Sequence, residues 1–509
     1  MIRAGTIAWF AQHETRLAWR DWSWLLSGGR RRHGAAVVLG LIAFVLLMHG
    51  LAYLTLARLP ALASPPDKRV LMIIGGTLAL YWSLMLSQAM EAVTRVFYAR
   101  GDLDLILSSP ALAERLFAVR INAMAVTVAA MALMLAAPVI NILACLGGVH
   151  WLAAYGVVAA LAMVAAAISV AVTVLLFRMI GPKRTRLVAQ IIAAVIGASF
   201  AIGVQIVAIL SLGTVSRIAL LQSDAVVDQA PNIDSILWLP AYAATGDYLA
   251  VTIILALGVM ALVIAIRFCA PRFADLALAA AGAFDSPPRI SRNKSRFRPT
   301  STPQVLRHKE WTLLRRDPWL ISQTLLQLFY LLPPFFLLWR TFYGDRSGAA
   351  LVVPVLIMAA GQLAGGLAWL AISGEDAPDL IASAPITPSR IWGAKVETVL
   401  AAIGFVFGPF AVGLAVIDPS LGLVTALGVI AAAAAAAMIQ FWFRAQVKRS
   451  LFRRRHVSSR IATFAEALSS ITWAGTGALA IVNLWLAVVP GAIGLVILAG
   501  AWLVSPRRS

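Results

Sequence analysis

Apolar runs of roughly 20 residues recur along this chain, and they leave room for one class of fold. Each is long enough to cross a hydrocarbon layer of ~30 Å as a helix. Inside such a layer the backbone must bond to itself, which only helices and closed barrels achieve. The runs are too long and too continuous for barrel strands. Composition agrees: 61% of the 509 residues are hydrophobic and 13% charged, where a soluble protein carries about twice that charged fraction. Mean hydropathy is +0.87. The expected fold is therefore all-α, a polytopic helical membrane protein. Twelve spans are expected, at 35–57, 70–90, 121–146, 151–177, 188–214 and 248–266, then at 319–339, 349–372, 396–416, 420–443, 464–486 and 488–505. Only Pro490 marks the division of the last pair.

Charge orients the spans, because Lys and Arg accumulate on the cytoplasmic side. With both termini inside, 36 of the 42 Lys and Arg fall on the inner face, leaving Arg58, Lys68, Arg69, Arg217, Arg340 and Arg346 outside. The expected location is the plasma (inner) membrane, with both termini cytoplasmic. The first apolar run follows a polar, Arg-bearing stretch of over thirty residues, unlike a cleavable signal peptide. Basic runs such as Lys448-Arg449 and Arg453–Arg455 suit anionic lipid headgroups better than nucleic acid. Cys145 and Cys269 lie near opposite faces, so neither a disulfide nor a metal site is expected.

One polar segment is written twice. The first copy runs from Asp102 and Asp104 through Ser108 and Pro110 to Arg115, and the second from Asp379 through Ser383 and Pro385 to Arg390. A shift of 275 superposes them and aligns Leu116 with Ile391, Phe117 with Trp392 and Arg120 with Lys395. A second repeat precedes each half. Glu14, Leu17, Arg20 and Asp21 return as Glu310, Leu313, Arg316 and Asp317, at an offset of 296. Both entry segments are rich in Trp, which favours the membrane interface, and each reads as an interfacial helix. The domains expected are a first six-span half at 1–283, a Pro-, Ser- and Arg-rich cytoplasmic linker at 284–304 and a second half at 305–509. The interfacial helices lie at about 7–26 and 305–318, and the duplicated loops at about 100–118 and 375–393. Six spans per half make the repeats parallel, a plan that places a substrate route between them.

These loops and entry segments resemble those of the exporter-type permease subunits of ATP-binding-cassette transporters. The likeness covers all twelve spans, with its specificity in the four short segments. It implies that Asp102, Asp104, Ser108, Pro110, Arg115, Asp379, Ser383, Pro385 and Arg390 dock on cytoplasmic ATPase subunits, two copies per chain. It also implies that Glu14, Arg20, Asp21, Glu310, Arg316 and Asp317 belong to interfacial helices. Three departures stand out: Thr387-Pro388 replaces Leu112-Ala113, Pro378 intrudes before Asp379, and both halves are fused in one chain.

The expected function is transport without enzymatic activity in this chain: an exporter moving substrate between its halves by alternating access. No GxxxxGK[ST] loop occurs, so ATP is expected on the partner and no cofactor on this chain. Leu26-Ser-Gly-Gly-Arg30 resembles an ATPase signature peptide but stands directly before a span. The alternatives are an ion-coupled secondary carrier, major-facilitator-like, and a lipid-modifying enzyme. Gly344–Gly348 resembles a major-facilitator loop but falls on the wrong face. Glu91, Glu397 and Glu466 are placed near cytoplasmic span ends, within reach of water, which argues against ion coupling. The six histidines lack metal-ligand spacing.

Overall fold

The chain meets the backbone requirement of a hydrocarbon layer with helices. In the computed structural model no strand occurs among the described residues. Those residues are 6–27, 34–57, 67–98, 113–212, 223–285, 301–316, 329, 331–333, 335–336, 349–373, 383, 385–443 and 460–505. The chain divides into two compact units, residues 1–208 with 214–288, and residues 289–509 with 209–213.

Unit 1 begins with α1 (Ile7–Ser27), α2 (Gly34–Leu56), α3 (Lys68–Tyr98) and α4 (Ala113–Gly147). Gly148, at φ 111, turns the chain into a 3-10 turn (Val149–Leu152) and then α5 (Ala153–Leu212). Gly181 breaks α5 into two limbs at φ 73, a conformation glycine adopts without strain. Pro182 follows, where a fixed φ suits the start of the second limb. The unit continues through α6 (Asp224–Gln229), a 3-10 turn (Ile236–Trp238), α7 (Leu239–Ala244) and α8 (Tyr248–Asp285). Its core forms around the small residues of the first α5 limb. Ala162 and Ala165 pack with Leu86 and Ala89 of α3 and Val128 of α4, while Ala166 and Val170 meet Phe117 of α4 and Leu262 of α8.

Unit 2 comprises α9 (Thr302–Arg316), α10 (Ala349–Ser373), α11 (Pro388–Ile417), α12 (Pro419–Phe443), α13 (Arg460–Val482) and α14 (Leu484–Val504). Its core centres on α10, where Leu356, Ile357, Ala360 and Ala364 are fully buried. Glycines let backbones approach, as small residues do between membrane helices. Ile357 fills the space beside Gly428 of α12 and Gly477 of α13, and Gly361 lies against Ser470.

Two hairpins in unit 2 turn on one residue each. Asp418 alone joins α11 to α12, and its Oδ1 accepts from the Ser420 amide at 2.7 Å. Hydrogen bonds from the Ser420 side chain and amide hold this carboxyl below its ordinary pKa. Asn483 alone joins α13 to α14 as an N-cap, its side chain accepting from the Trp485 amide at 2.9 Å. The last division thus falls at Asn483, four residues before the expected break, and Pro490 lies inside α14. A cap that satisfies a free amide ends a helix more decisively than one proline within an apolar run.

Ten helices among the described residues are long and apolar enough to cross a membrane, and they fall on ten of the expected spans. The expected span 35–57 coincides with α2. The expected span 319–339 lies almost wholly outside the described residues. The chain is a polytopic helical membrane protein. The expected linker lies mostly outside the described residues, with α8 reaching Asp285 and α9 starting at Thr302.

The one-residue turn at Asp418 brings Gly422 so close to α11 that an added Cβ would collide with the Ala415 backbone. Gly422→Ala is expected to lower stability by about 1–3 kcal/mol. Gly404→Ala, on a helix position with open space, is expected to be neutral or to stabilise by about 0.4–1 kcal/mol. Denaturation midpoints of the purified variants in detergent check the pair.

Candidate functional site

Within each unit taken by itself, the entry helix meets the helix that follows the duplicated segment. In unit 1, Thr6 starts α1 by accepting the Trp9 amide on its hydroxyl at 3.3 Å. Phe10 and Glu14 then share one helix face, four residues apart. Phe10 packs on Leu116 and Val119 of α4, and Glu14 meets Arg120 of α4 with Oε1–Nε at 3.2 Å. In unit 2, a capping box opens α9, the Ser301 amide donating to Gln304 Oε1 at 3.3 Å. Leu306 and Glu310 occupy the equivalent face, and both are buried.

Glu310 is 2% exposed and its partner Lys395 of α11 is 6% exposed. The Lys395 ammonium donates to Glu310 Oε1 at 3.0 Å, to Oε2 at 3.1 Å and to the Ala371 carbonyl. Three acceptors thus meet its three protons. Lys309 adds a further contact to Oε1 at 3.2 Å. Ala371 is among the last four residues of α10, whose carbonyls lack helical partners. One ammonium therefore ties together the end of α10, the start of α11 and the entry helix α9, across the chain stretch 374–387 that separates α10 from α11.

The same clasp occurs in both units, between residues related by two different offsets: Glu14 and Glu310 by 296, Arg120 and Lys395 by 275. Sequence comparison aligned these residues without pairing them. The available signal was that each offset carries a charge of one sign, and the two signs are opposite. A neighbouring pair, Arg307–Glu397 at 2.9 Å, is half-exposed on both sides. Its positions match Ala11 and Asn122 in unit 1, which cannot form an ion pair. Only the sheltered pair is duplicated.

Arg115 and Arg390 are exposed in the first turn of α4 and of α11, and Ser383 and Pro385 are exposed ahead of α11. Asp102, Asp104, Ser108, Pro110, Asp379 and Asp317 lie outside the described residues. Arg20 and Asp21 belong to α1, and Arg316 closes α9. Among the described residues, no three His, Cys, Asp or Glu side chains converge as a metal site.

One acidic residue differs from its expected setting. Glu466 is buried near the start of α13 instead of meeting water, and it accepts a hydrogen bond from Gln440 Nε2 of α12. The α10 backbone at Gly365 lies against its carboxyl group, leaving no space for a Cβ.

No protein-family model, no curated protein and no solved structure matches this chain.

Removing one member of a buried ion pair leaves the other charge uncompensated, at a cost of about 3–5 kcal/mol. Glu310→Leu and Lys395→Leu are each expected to destabilise on that scale, and the double variant by distinctly less. Arg307→Ala is expected to cost only about 0–1 kcal/mol, because its pair is solvated. A double-mutant cycle on denaturation midpoints measures the difference, and a double variant as damaged as the worse single one would contradict it.

Proposed function

We propose that this chain is the membrane-spanning permease subunit of an ATP-driven exporter, built as twelve helices in two parallel six-span repeats. Separate ATPase subunits engage the duplicated loops and drive alternating access. The observation that carries this reading is the duplicated clasp. Each loop of common sequence is footed on an equivalent ion pair that joins the entry helix to the helix after the loop. In unit 2 the same ammonium also holds the helix before the loop. A push on such a loop acts on packed helices together, since close-packed interiors transmit displacement. Arg115 and Arg390, exposed beside the clasps, are the charges we assign to docking, along with Asp102, Asp104, Ser108, Pro110, Asp379, Ser383 and Pro385.

A second reading, an ion-coupled carrier, is favoured by Glu466, since intramembrane carboxyl groups mark ion and proton routes. The clasp outweighs it because it accounts for both sequence repeats, whereas Glu466 lies in one unit.

Co-purification decides between them. Arg115→Glu/Arg390→Glu is expected to leave stability within about ±0.5 kcal/mol, as solvated surface changes do. It is expected to weaken ATPase association by about 2 kcal/mol or more, since reversed charges at a complementary interface repel. Association at the original level in the double variant would refute the docking assignment. The proposed orientation has its own check: Asn293→Cys is expected to resist an impermeant thiol reagent in intact cells and to react once they are opened.

A further inference from the structure

Between the long helices α5 and α8 of unit 1, the chain builds a cap with an unusual division of polar and apolar groups. The Trp238 indole donates to the carbonyls of Pro231 and Asn232 at 3.3 and 3.1 Å, and the Tyr242 hydroxyl to that of Ile233 at 3.0 Å. The Ser235 amide bonds to Asn232 O at 2.9 Å and the Trp238 amide to Ser235 O at 3.0 Å. The Leu237 amide donates to the Ser235 hydroxyl at 3.4 Å. This irregular segment therefore satisfies much of its backbone internally, as non-helical chain must at membrane depth. Ile236 and Leu237 nevertheless point outward, 80% and 69% exposed, with Ile233 also exposed.

The level of the cap follows from its contacts. Trp238 packs on Leu71 and Met72, and its ring lies 3.2 Å from a Cβ built at Gly75. Gly75 is seven residues inside the span that starts at Lys68, a depth of about 10 Å at 1.5 Å per residue. Ala243 and Ala244 of α7 share a core with Ala154 and Ala250, in the first turns of α5 and α8. Tyr248 and Leu249, the first residues of the α8 span, are exposed too. The cap is thus level with the starts of three spans, and the first residues of one of them are as exposed as its apolar rim.

We propose that residues 231–238 form a bilayer anchor, with Ile233, Ile236 and Leu237 entering the boundary between headgroups and acyl chains at this end of unit 1. The exposed Asn232 and Asp234 lie on its water side. The ligand is the lipid surface itself, which takes up large apolar side chains at this depth. In unit 2, Asn483 alone joins α13 to α14, so that connection carries no such anchor. The anchor does not depend on the transport reading and stands or falls separately from it.

Depth measurement on the whole chain tests it. Leu237→Cys is made on a Cys145→Ser background, with buried Cys269 retained and the background checked for absence of labelling. The protein is spin-labelled and reconstituted in vesicles of phosphatidylcholine and phosphatidylglycerol. Collision rates with oxygen and with a water-soluble nickel chelate are then compared. The oxygen-to-nickel ratio at position 237 is expected to approach that of Leu257→Cys, on the exposed side of α8. It should be several-fold above that of Asn232→Cys. A ratio no higher than at position 232 would place the cap in water and overturn the anchor. A label immobilised and shielded from both reagents would show protein covering the rim, and would overturn it equally.

Discussion

A hydrocarbon layer offers the backbone no partner, and the architecture of this chain follows from that constraint. Long helices answer it along their length, so the remaining difficulty gathers at their ends, where four amides and four carbonyls lack partners. The chain meets this in several ways. Gly148 turns α4 into the following helix with a positive φ, while Asp418 and Asn483 each close a hairpin with one residue whose side chain accepts an amide. Lys395 takes up a terminal carbonyl of α10. The cap of unit 1 bonds to itself. Each device removes a polar group that lipid would leave unsatisfied.

The clasp is the costliest of these devices, because it hides full charges. A sheltered ion pair loses hydration on both sides, and attraction offsets that loss only when the remaining hydrogen-bonding capacity is filled. Unit 2 fills it, with three acceptors around the ammonium and a second lysine on the carboxylate. Unit 1 uses a guanidinium, and its carboxylate is less sheltered, 18% exposed against 2% for Glu310. Arg and Lys are not interchangeable in such settings: one is a planar fork, the other a compact charge with three rotatable donors. The lysine suits the three-way junction at Ala371, where its acceptors come from two separate helices.

Much of this was legible in the sequence. Apolar length alone located the spans, because a helix that crosses a bilayer cannot hide its composition. The loops were found by repetition and the entry helices by a second repetition. Their meeting was not, since an offset relates like to like and says nothing of what touches. The misplaced break at Pro490 has a local cause. A proline deep in an apolar run is conspicuous, but within a packed membrane helix the freed carbonyl can be re-satisfied. Asn483 is inconspicuous until its bond to the Trp485 amide is seen. Glu466 shows that distance along the chain is not distance from water: it stands near a helix start, yet the contact with Gly365 closes over it.

The two units agree and differ at opposite ends, and the physics of each end accounts for it. At the clasp end, a charge must be hidden beside a loop, and the solutions open to a helix pair are few. Carboxylate on the entry helix and cation on the next is one of them, and both units use it. At the other end, the requirement is only that the chain return to the membrane with its polar groups satisfied. One asparagine suffices in unit 2, while unit 1 places α6, a 3-10 turn and α7 ahead of α8. Its added segment brings acidic side chains, and Asp224 pairs with Arg69 at the head of α3. It also brings a tryptophan seated over Gly75. A connection that minimal satisfaction does not require is free to acquire a role of its own. The outward apolar rim at Ile236 and Leu237 is where this chain has used that freedom.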